Sequence, residues 1–276
     1  MINIPAHQLN DGTTIPAVGL GTWPMDDDEA ERAVADALGA GCRLIDTAVN
    51  YRNEKGVGRG IERSGVVRED LVVTTKLPGR DHGYEETLAS FEQSRGRLGL
   101  DYVDLYLIHW PLPRVDRYVD SWRAMIRLRD DGLVRSIGVS NFTVGQLERL
   151  EDETGVLPAV NQIELHPMLP QEELRSYHST KGVVTESWSP LGRGPELLAD
   201  PVVAAVAEEA GVTPAQVLLR WHVELGVVPI PKSSSPERRR ANLDLFGFDL
   251  TPAQLRAVGD RPRRRLGGDP ETHEEF

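Results

Sequence analysis

The chain has 276 residues, 39% hydrophobic and 27% charged, proportions of an ordinary globular protein that exclude wholesale disorder and a fibrous architecture. Its 43 Asp and Glu against 31 Lys and Arg give a net charge of -12, which repels nucleic acid and anionic lipid at long range and confines any phosphate contact to a local cationic cluster. The single cysteine, Cys42, cannot close an internal disulfide, and no apolar run reaches signal-peptide or membrane-spanning length. The expectation is a soluble cytoplasmic protein with neither a nucleic-acid nor a membrane partner.

In chain order, HQLNDGTTIP comes first, with Asp11 and Gly12 between short extended pieces, the signal for a two-residue hairpin turn that could plug the bottom of a barrel. Eight strands follow, predicted at Val18 to Gly21, Arg43 to Asp46, Leu71 to Lys76, Tyr102 to His109, Val134 to Val139, Ala159 to Ile163, Val183 to Ser187 and Val227 to Ile230. Several lack polar alternation, as strands buried on both faces should. Between the first two, Ala30, Ala33, Val34, Ala37 and Leu38 share one helical face after the acidic Asp26 to Asp28, and Gly39 and Gly41 end the helix. Later, Thr213 and Pro214 read as an N-cap followed by proline at the first helical position. Strands alternating with helices over this length predict one α/β domain, a (β/α)8 TIM barrel over residues 1–276 with an N-terminal β-hairpin. The tail from Arg261, charged and Gly-containing, reads as a partly mobile terminus, with folding over the barrel mouth as the alternative.

Active sites of such barrels lie at the C-terminal ends of the strands. Here those ends are polar: Asp46, Lys76 and His109 close the second, third and fourth strands. The fifth runs into Ser140 and Asn141, the sixth contains Gln162, the seventh reaches Trp188, and the eighth delivers Lys232 and Ser233. Taken singly, each has a structural explanation: a helix cap, a surface lysine, a hydrogen-bonded barrel histidine. Together they converge on one opening, where a charged residue after VVTT or LYLI needs a partner. Tyr51, on the loop five residues past Asp46, is a candidate proton donor. A nearby ammonium would lower its pKa from about 10, Asp46 would hold that ammonium, and His109 would orient and polarise a carbonyl.

At these residues the sequence resembles the aldo-keto reductases, through GLGTW (Gly19 to Trp23), GCRLIDTAVNYRNEKGVG (Gly41 to Gly58), TTKLP (Thr74 to Pro78), GLVRSIGVSNF (Gly132 to Phe142) and IPKSSSPERRRAN (Ile230 to Asn242). TESWSPLGRG and NQIELHP resemble the bacterial reductases of 2,5-diketo-gluconate. The resemblance implies an NADPH-dependent reductase of aldehydes or ketones, with Asp46, Tyr51, Lys76 and His109 as its tetrad. It implies that Ser140, Asn141 and Gln162 meet the nicotinamide carboxamide, that Trp188 stacks on the ring, and that Leu191, Gly192 and Gly194 fall in the pyrophosphate loop. Gly21, Thr22 and Ser189 complete the implied cofactor set. Lys232, Ser233 and Arg238 match positions that hold the 2'-phosphate, Asn242 one that meets the adenine, and Arg239 and Arg240 add positive charge favouring NADPH.

Two departures from the family pattern border the opening: Arg52 stands where relatives usually have glycine, and Gly79 and Arg80 replace the usual Trp-Asn. Trp23, Arg52, His109 and Trp110 are the implied substrate contacts, with the tail also lining the pocket and Arg52 selecting carboxylate-bearing substrates. The family is often monomeric. Two other functions compete: a Schiff-base aldolase using Lys76, and a nucleotide-sensing binding protein with incidental turnover. No metal is expected, because the seven histidines and one cysteine show no ligand spacing, and no GxSxG elbow supports a serine hydrolase.

Overall fold

The computed structural model describes residues 4–275. A hairpin of β1 (Ala6–Gln8) and β2 (Thr14–Pro16) precedes eight parallel strands: β3 (Leu20–Gly21), β4 (Leu44–Asp46), β5 (Val72–Leu77), β6 (Val103–Ile108), β7 (Val134–Ser140), β8 (Val160–Glu164), β9 (Val184–Trp188) and β10 (Val228–Pro229). Each pairs with its sequence neighbour in the order β10 to β3. Gly19 N donates to Pro229 O at 3.2 Å and Gly21 N to Pro231 O at 3.0 Å, so the last strand returns to the first and closes the (β/α)8 barrel. All eight strands predicted from sequence are present, their ends moved by one or two residues. The polar residues named for strand ends therefore share one rim.

The helices are α1 (Asp27–Gly39), α2 (Glu54–Ser64), α3 (Tyr84–Leu98), α4 (Tyr118–Asp130), α5 (Val144–Thr154), α6 (Glu172–Lys181), α7 (Pro201–Ala210), α8 (Pro214–Glu224), α9 (Pro236–Leu243) and α10 (Pro252–Gly259). Their starts follow local chemistry. The Asp26 carboxylate caps α1 by accepting from Glu29 N at 2.8 Å, and Thr213 with Gln216 forms a capping box before Pro214 on α8. Ser235 caps α9 with Pro236 behind it.

Two expectations need correction. The Asp11-Gly12 turn is longer than two residues: Leu9 N donates to Thr13 O and Gly12 N to Leu9 O, leaving Asn10, Asp11 and Gly12 in the loop, with Gly12 at φ +89. A residue in the left-handed region after such a turn makes the three-residue loop with a bulge. The tail is also not a loose end. Arg264 N bonds Met168 O at 2.8 Å, and Leu266 N and Gly267 N donate at 2.6 and 2.8 Å to the buried carboxylate of Glu164, the last residue of β8. The fit there is close, since a Cβ on Gly267 would lie 2.3 Å from the Trp188 ring. The segment continues across the barrel mouth until the His273 ring packs on Trp110 at 4.2 Å between centroids.

Candidate active site

Lys76 enters the barrel from β5 with no exposed surface. Its Nζ donates to both oxygens of Asp46, at 2.7 and 2.8 Å, and to Thr47 O at 3.0 Å. A buried ammonium is tolerable only with partners of this kind. Burial pulls its pKa down, but the Asp46 carboxylate and the Tyr51 phenol outweigh that and hold it above the ordinary lysine value.

Tyr51 ends a short 3-10 turn, and its hydroxyl lies 3.4 Å from Lys76 Nζ. The loop that carries it is pinned by Asn53, which accepts from the Thr47 hydroxyl and donates to Thr22 O and Met25 O. Burial raises the phenol's pKa more than Lys76 lowers it, and Asp46 adds to the rise. The ammonium lowers the phenol's pKa as expected, but desolvation outweighs it, and the net shift is upward. His109 packs its ring edge-to-face on Tyr51, with centroids 5.9 Å apart. Its Nδ1 stands 3.0 Å from Oε1 of Glu275, at ion-pair distance but out of line for a hydrogen bond. Burial pushes the Glu275 carboxyl up, while His109, Asn50 and the Gly79 backbone together bring it below its usual value.

Asp46, Tyr51, His109 and Glu275 open onto a cleft of about 970 Å³ at the C-terminal rim, with Lys76 behind them. Gly21, Ser140, Asn141, Gln162, Trp188, Ser189, Leu191, Gly192 and Gly194 line it, as do Lys232, Ser233, Arg238 and Asn242, and Trp23 and Trp110. Several of these side chains are already engaged with one another. Ser140 Oγ donates to Gln162 O at 2.7 Å, and Asn141 donates to Ser140 Oγ and His109 O while accepting from Trp188 Nε1 at 2.8 Å. The indole is thus fixed in place. Gln162 spends its amide hydrogens on Asp46 and Glu186, and its Oε1 accepts no hydrogen bond among the described residues.

Four residues named from the sequence behave differently from expectation. Thr22 is wholly buried, its hydroxyl given to Asp46 O, and it does not line the cleft. Arg52 is exposed and also absent from the cleft lining. Its φ of +56 explains why glycine suits that position, since a left-handed backbone favours a residue without Cβ. Arg239 and Arg240 are bound to Asp36, and buried Arg239 also donates to Ser233 O and Ser234 O. They brace the loop. Arg238, by contrast, is exposed on the cleft with no ion pair among the described residues, while Lys232 donates to Ser234 Oγ at 2.8 Å and lies 3.3 Å from Glu29.

Sequence reasoning missed Asn50 and Arg193 as cleft residues, and it gave the tail as pocket lining without singling out His273 and Glu275. Arg193 lies 5.7 Å from the Trp23 ring and 5.5 Å from that of Trp188, a cation over two aromatic faces. Arg80, one of the departures, donates to Asn50 Oδ1 at 2.6 Å and so acts on the cleft through a neighbour.

A parallel barrel with a buried lysine-aspartate pair behind a tyrosine, at a cleft lined by tryptophans and cationic side chains, defines a class of barrel oxidoreductase. The aldo/keto reductase family model matches residues 17–260, and the chain belongs to that family. It is 55% identical to a 2,5-diketo-D-gluconic acid reductase B from a Corynebacterium species over 100% of both chains. An aldo/keto reductase structure from Brucella melitensis is 50% identical, with a TM-score of 0.90, covering 93% of this chain and 99% of that one. A variant of Gox0644 solved in complex with NADPH is 43% identical, with a TM-score of 0.94 and 99% of each chain covered.

Proposed function

We propose that this protein is an NADPH-dependent reductase of aldehydes and ketones, with Tyr51 as general acid. The observation that carries the reading is the buried Lys76–Asp46 pair set directly behind a phenol that faces the cleft. The cleft suits the dinucleotide: it is about 970 Å³, carries at Gln162 Oε1 an acceptor without a donor among the described residues, and is lined by the Arg238 guanidinium, unpaired among those residues, beside the capped start of α9. Bound there, NADPH supplies the hydride that reduces the carbonyl carbon.

The chain's own residues do the rest. Gln162 Oε1 is placed to accept from the carboxamide, Trp188 to cover the nicotinamide ring, and Lys232, Ser233 and Arg238 to hold the 2'-phosphate, with Asn242 near the adenine. Tyr51 gives its hydroxyl proton to the substrate oxygen, and the ammonium 3.4 Å away stabilises the phenolate left behind. Asp46 keeps Lys76 charged and in position. His109 and Tyr51 meet the carbonyl oxygen from two sides and fix its direction.

Keto-sugar acids such as 2,5-diketo-gluconate are within the proposed substrate range. Arg52 does not line the cleft, so Arg193 takes over as the cation able to meet a substrate carboxylate. A Schiff-base aldolase fits poorly, because attack needs a neutral, accessible amine, and Lys76 is fully buried and held charged. The proposed setting is a single-domain monomer in the cytoplasm; burial pushes the thiol of Cys42 up to about 11, so it stays a reduced, unreactive packing group there.

The test is a panel of aldehydes and ketones with NADPH and NADH, run on wild type and Tyr51→Phe. Turnover should fall by a factor of about 10³ or more, with cofactor binding retained. Full activity in Tyr51→Phe would remove the proton-donor role. NADPH binding by wild type without turnover across the whole panel would favour a nucleotide-sensing protein.

A further inference from the structure

One acidic side chain beneath the cleft has no part in the mechanism above. Glu186, on β9, is fully buried and sits in register beside Gln162 on β8. The Gln162 amide nitrogen donates to Asp46 Oδ2 at 2.8 Å and to Glu186 Oε2 at 3.0 Å. An amide has two donor hydrogens, so both are committed, and the amide cannot flip without facing two acceptors with its oxygen. The other Glu186 oxygen, Oε1, is buried and has no partner.

The charged and titratable groups facing Glu186 are Asp46 on β4 and Lys76 on β5, with Tyr51 beyond Lys76. Two carboxyl groups share one amide, and one ammonium serves them both. That ammonium is already held by both Asp46 oxygens. The carboxyl group left to carry a proton is Glu186, and Oε1, which makes no hydrogen bond among the described residues, is the oxygen that would bear it. Burial, reinforced by the Asp46 charge, raises its pKa well above the usual carboxylic range despite the opposing pull of Gln162 and Lys76.

We propose that Glu186 is a positioning residue: a neutral carboxyl group that, through Gln162, presents an acceptor oxygen to the nicotinamide carboxamide and keeps the charge behind Tyr51 balanced. This rests on the reading of the cleft as the nicotinamide site. With Asp46 and Lys76 ionised and Glu186 neutral, the buried group carries no net charge. Loss of the Glu186 proton adds a negative charge beneath a reaction in which the phenol must itself become negative. It therefore slows reduction at alkaline pH, on a limb below that of Tyr51.

The test compares wild type, Glu186→Gln and Glu186→Leu by the pH profile of kcat/KM and by fluorescence titration of NADPH. Glu186→Gln keeps shape, an acceptor for Gln162 and neutrality at every pH. It should match wild type near pH 7 and lack the lower alkaline limb, retaining about tenfold more activity than wild type one pH unit above that limb's pKa. Glu186→Leu releases the Gln162 amide and should weaken NADPH at least tenfold at pH 7. An unchanged alkaline limb in Glu186→Gln, or NADPH binding weakened as much by Gln as by Leu, would overturn the proposal. If the Leu variant fails to fold, the Gln profile decides alone. Failure of the underlying cofactor reading shows differently, as wild type that binds no NADPH.

Discussion

The Lys76–Asp46 pair allows its role in stability to be separated from its role in catalysis. Lys76→Met removes an ammonium that donates to both Asp46 oxygens, to Thr47 O and, at 3.4 Å, to the Tyr51 hydroxyl, and leaves Asp46 with Gln162 Nε2 as its side-chain donor. A buried ion stripped of its partner costs about 3–5 kcal/mol, a fall in Tm on the order of 10 °C for a chain of this size. Asp46→Leu strands the lysine and costs a similar amount. In the double variant no unpaired charge remains, and an apolar pair of similar volume is often neutral. It should recover at least about 2 kcal/mol over the sum of the two single losses. Urea unfolding measures the cycle, with carbonyl reduction followed in parallel. Activity should be lost in all three variants. Additive losses would refute the idea that each charge is tolerated only because of the other, and an active double variant would refute its catalytic role. The pH dependence has a defined sign: because the folded pKa of Lys76 is raised, its contribution is complete below the unfolded lysine value of about 10.4. It fades as pH rises through the folded value, a loss absent from Lys76→Met.

Arg238→Ala should weaken NADPH by about 10- to 100-fold, the worth of a charge-assisted phosphate contact, and leave NADH nearly unchanged; equal weakening of both in isothermal titration would remove it from the 2'-phosphate. Glu164→Gln should free the tail, because one amide oxygen cannot replace a carboxylate that accepts from Leu266 N, Gly267 N and His166. Limited trypsinolysis at Arg264 and Arg265, read by mass spectrometry, should accelerate about tenfold. In wild type, burial acts to raise the Glu164 pKa, but His166 and the two backbone donors bring it below the ordinary value. The tether is therefore at full strength above about pH 4.3 and weakens as pH falls through the lower, folded value; unchanged cleavage in the variant would refute it.

The barrel was legible in the sequence because its strands are apolar runs that each end in a conspicuous polar residue. Asp46, Lys76, His109 and Gln162 could be placed on one rim from strand order alone. What stayed hidden depends on contacts between distant parts of the chain. Arg239 and Arg240 look like phosphate ligands until Asp36, 203 positions from Arg239, is seen to bind them. The tail has no hydrophobic period to mark it as ordered, since its anchor is the buried carboxylate of Glu164, 103 residues before Gly267. Arg52 stood out as a departure from glycine, but only its backbone angle shows that the departure concerns conformation and not the cleft. Tyr51 was read with its neighbouring charges and without the desolvation that overrides them.

The barrel closes on its shortest strands. β3 and β10 have two residues each, and Pro229 and Pro231, which accept the closing bonds, have no N–H to return. This seam is the least reinforced line in the sheet, and the cleft lies directly across it, with Gly21 on one lip and Lys232 and Ser233 on the other. A dinucleotide held, as proposed, by both lips would act as a suture, adding the cross-links that the backbone cannot supply. Amides along the seam should then be those most slowed in hydrogen exchange on cofactor binding, so that filling the site also completes the cylinder that forms it.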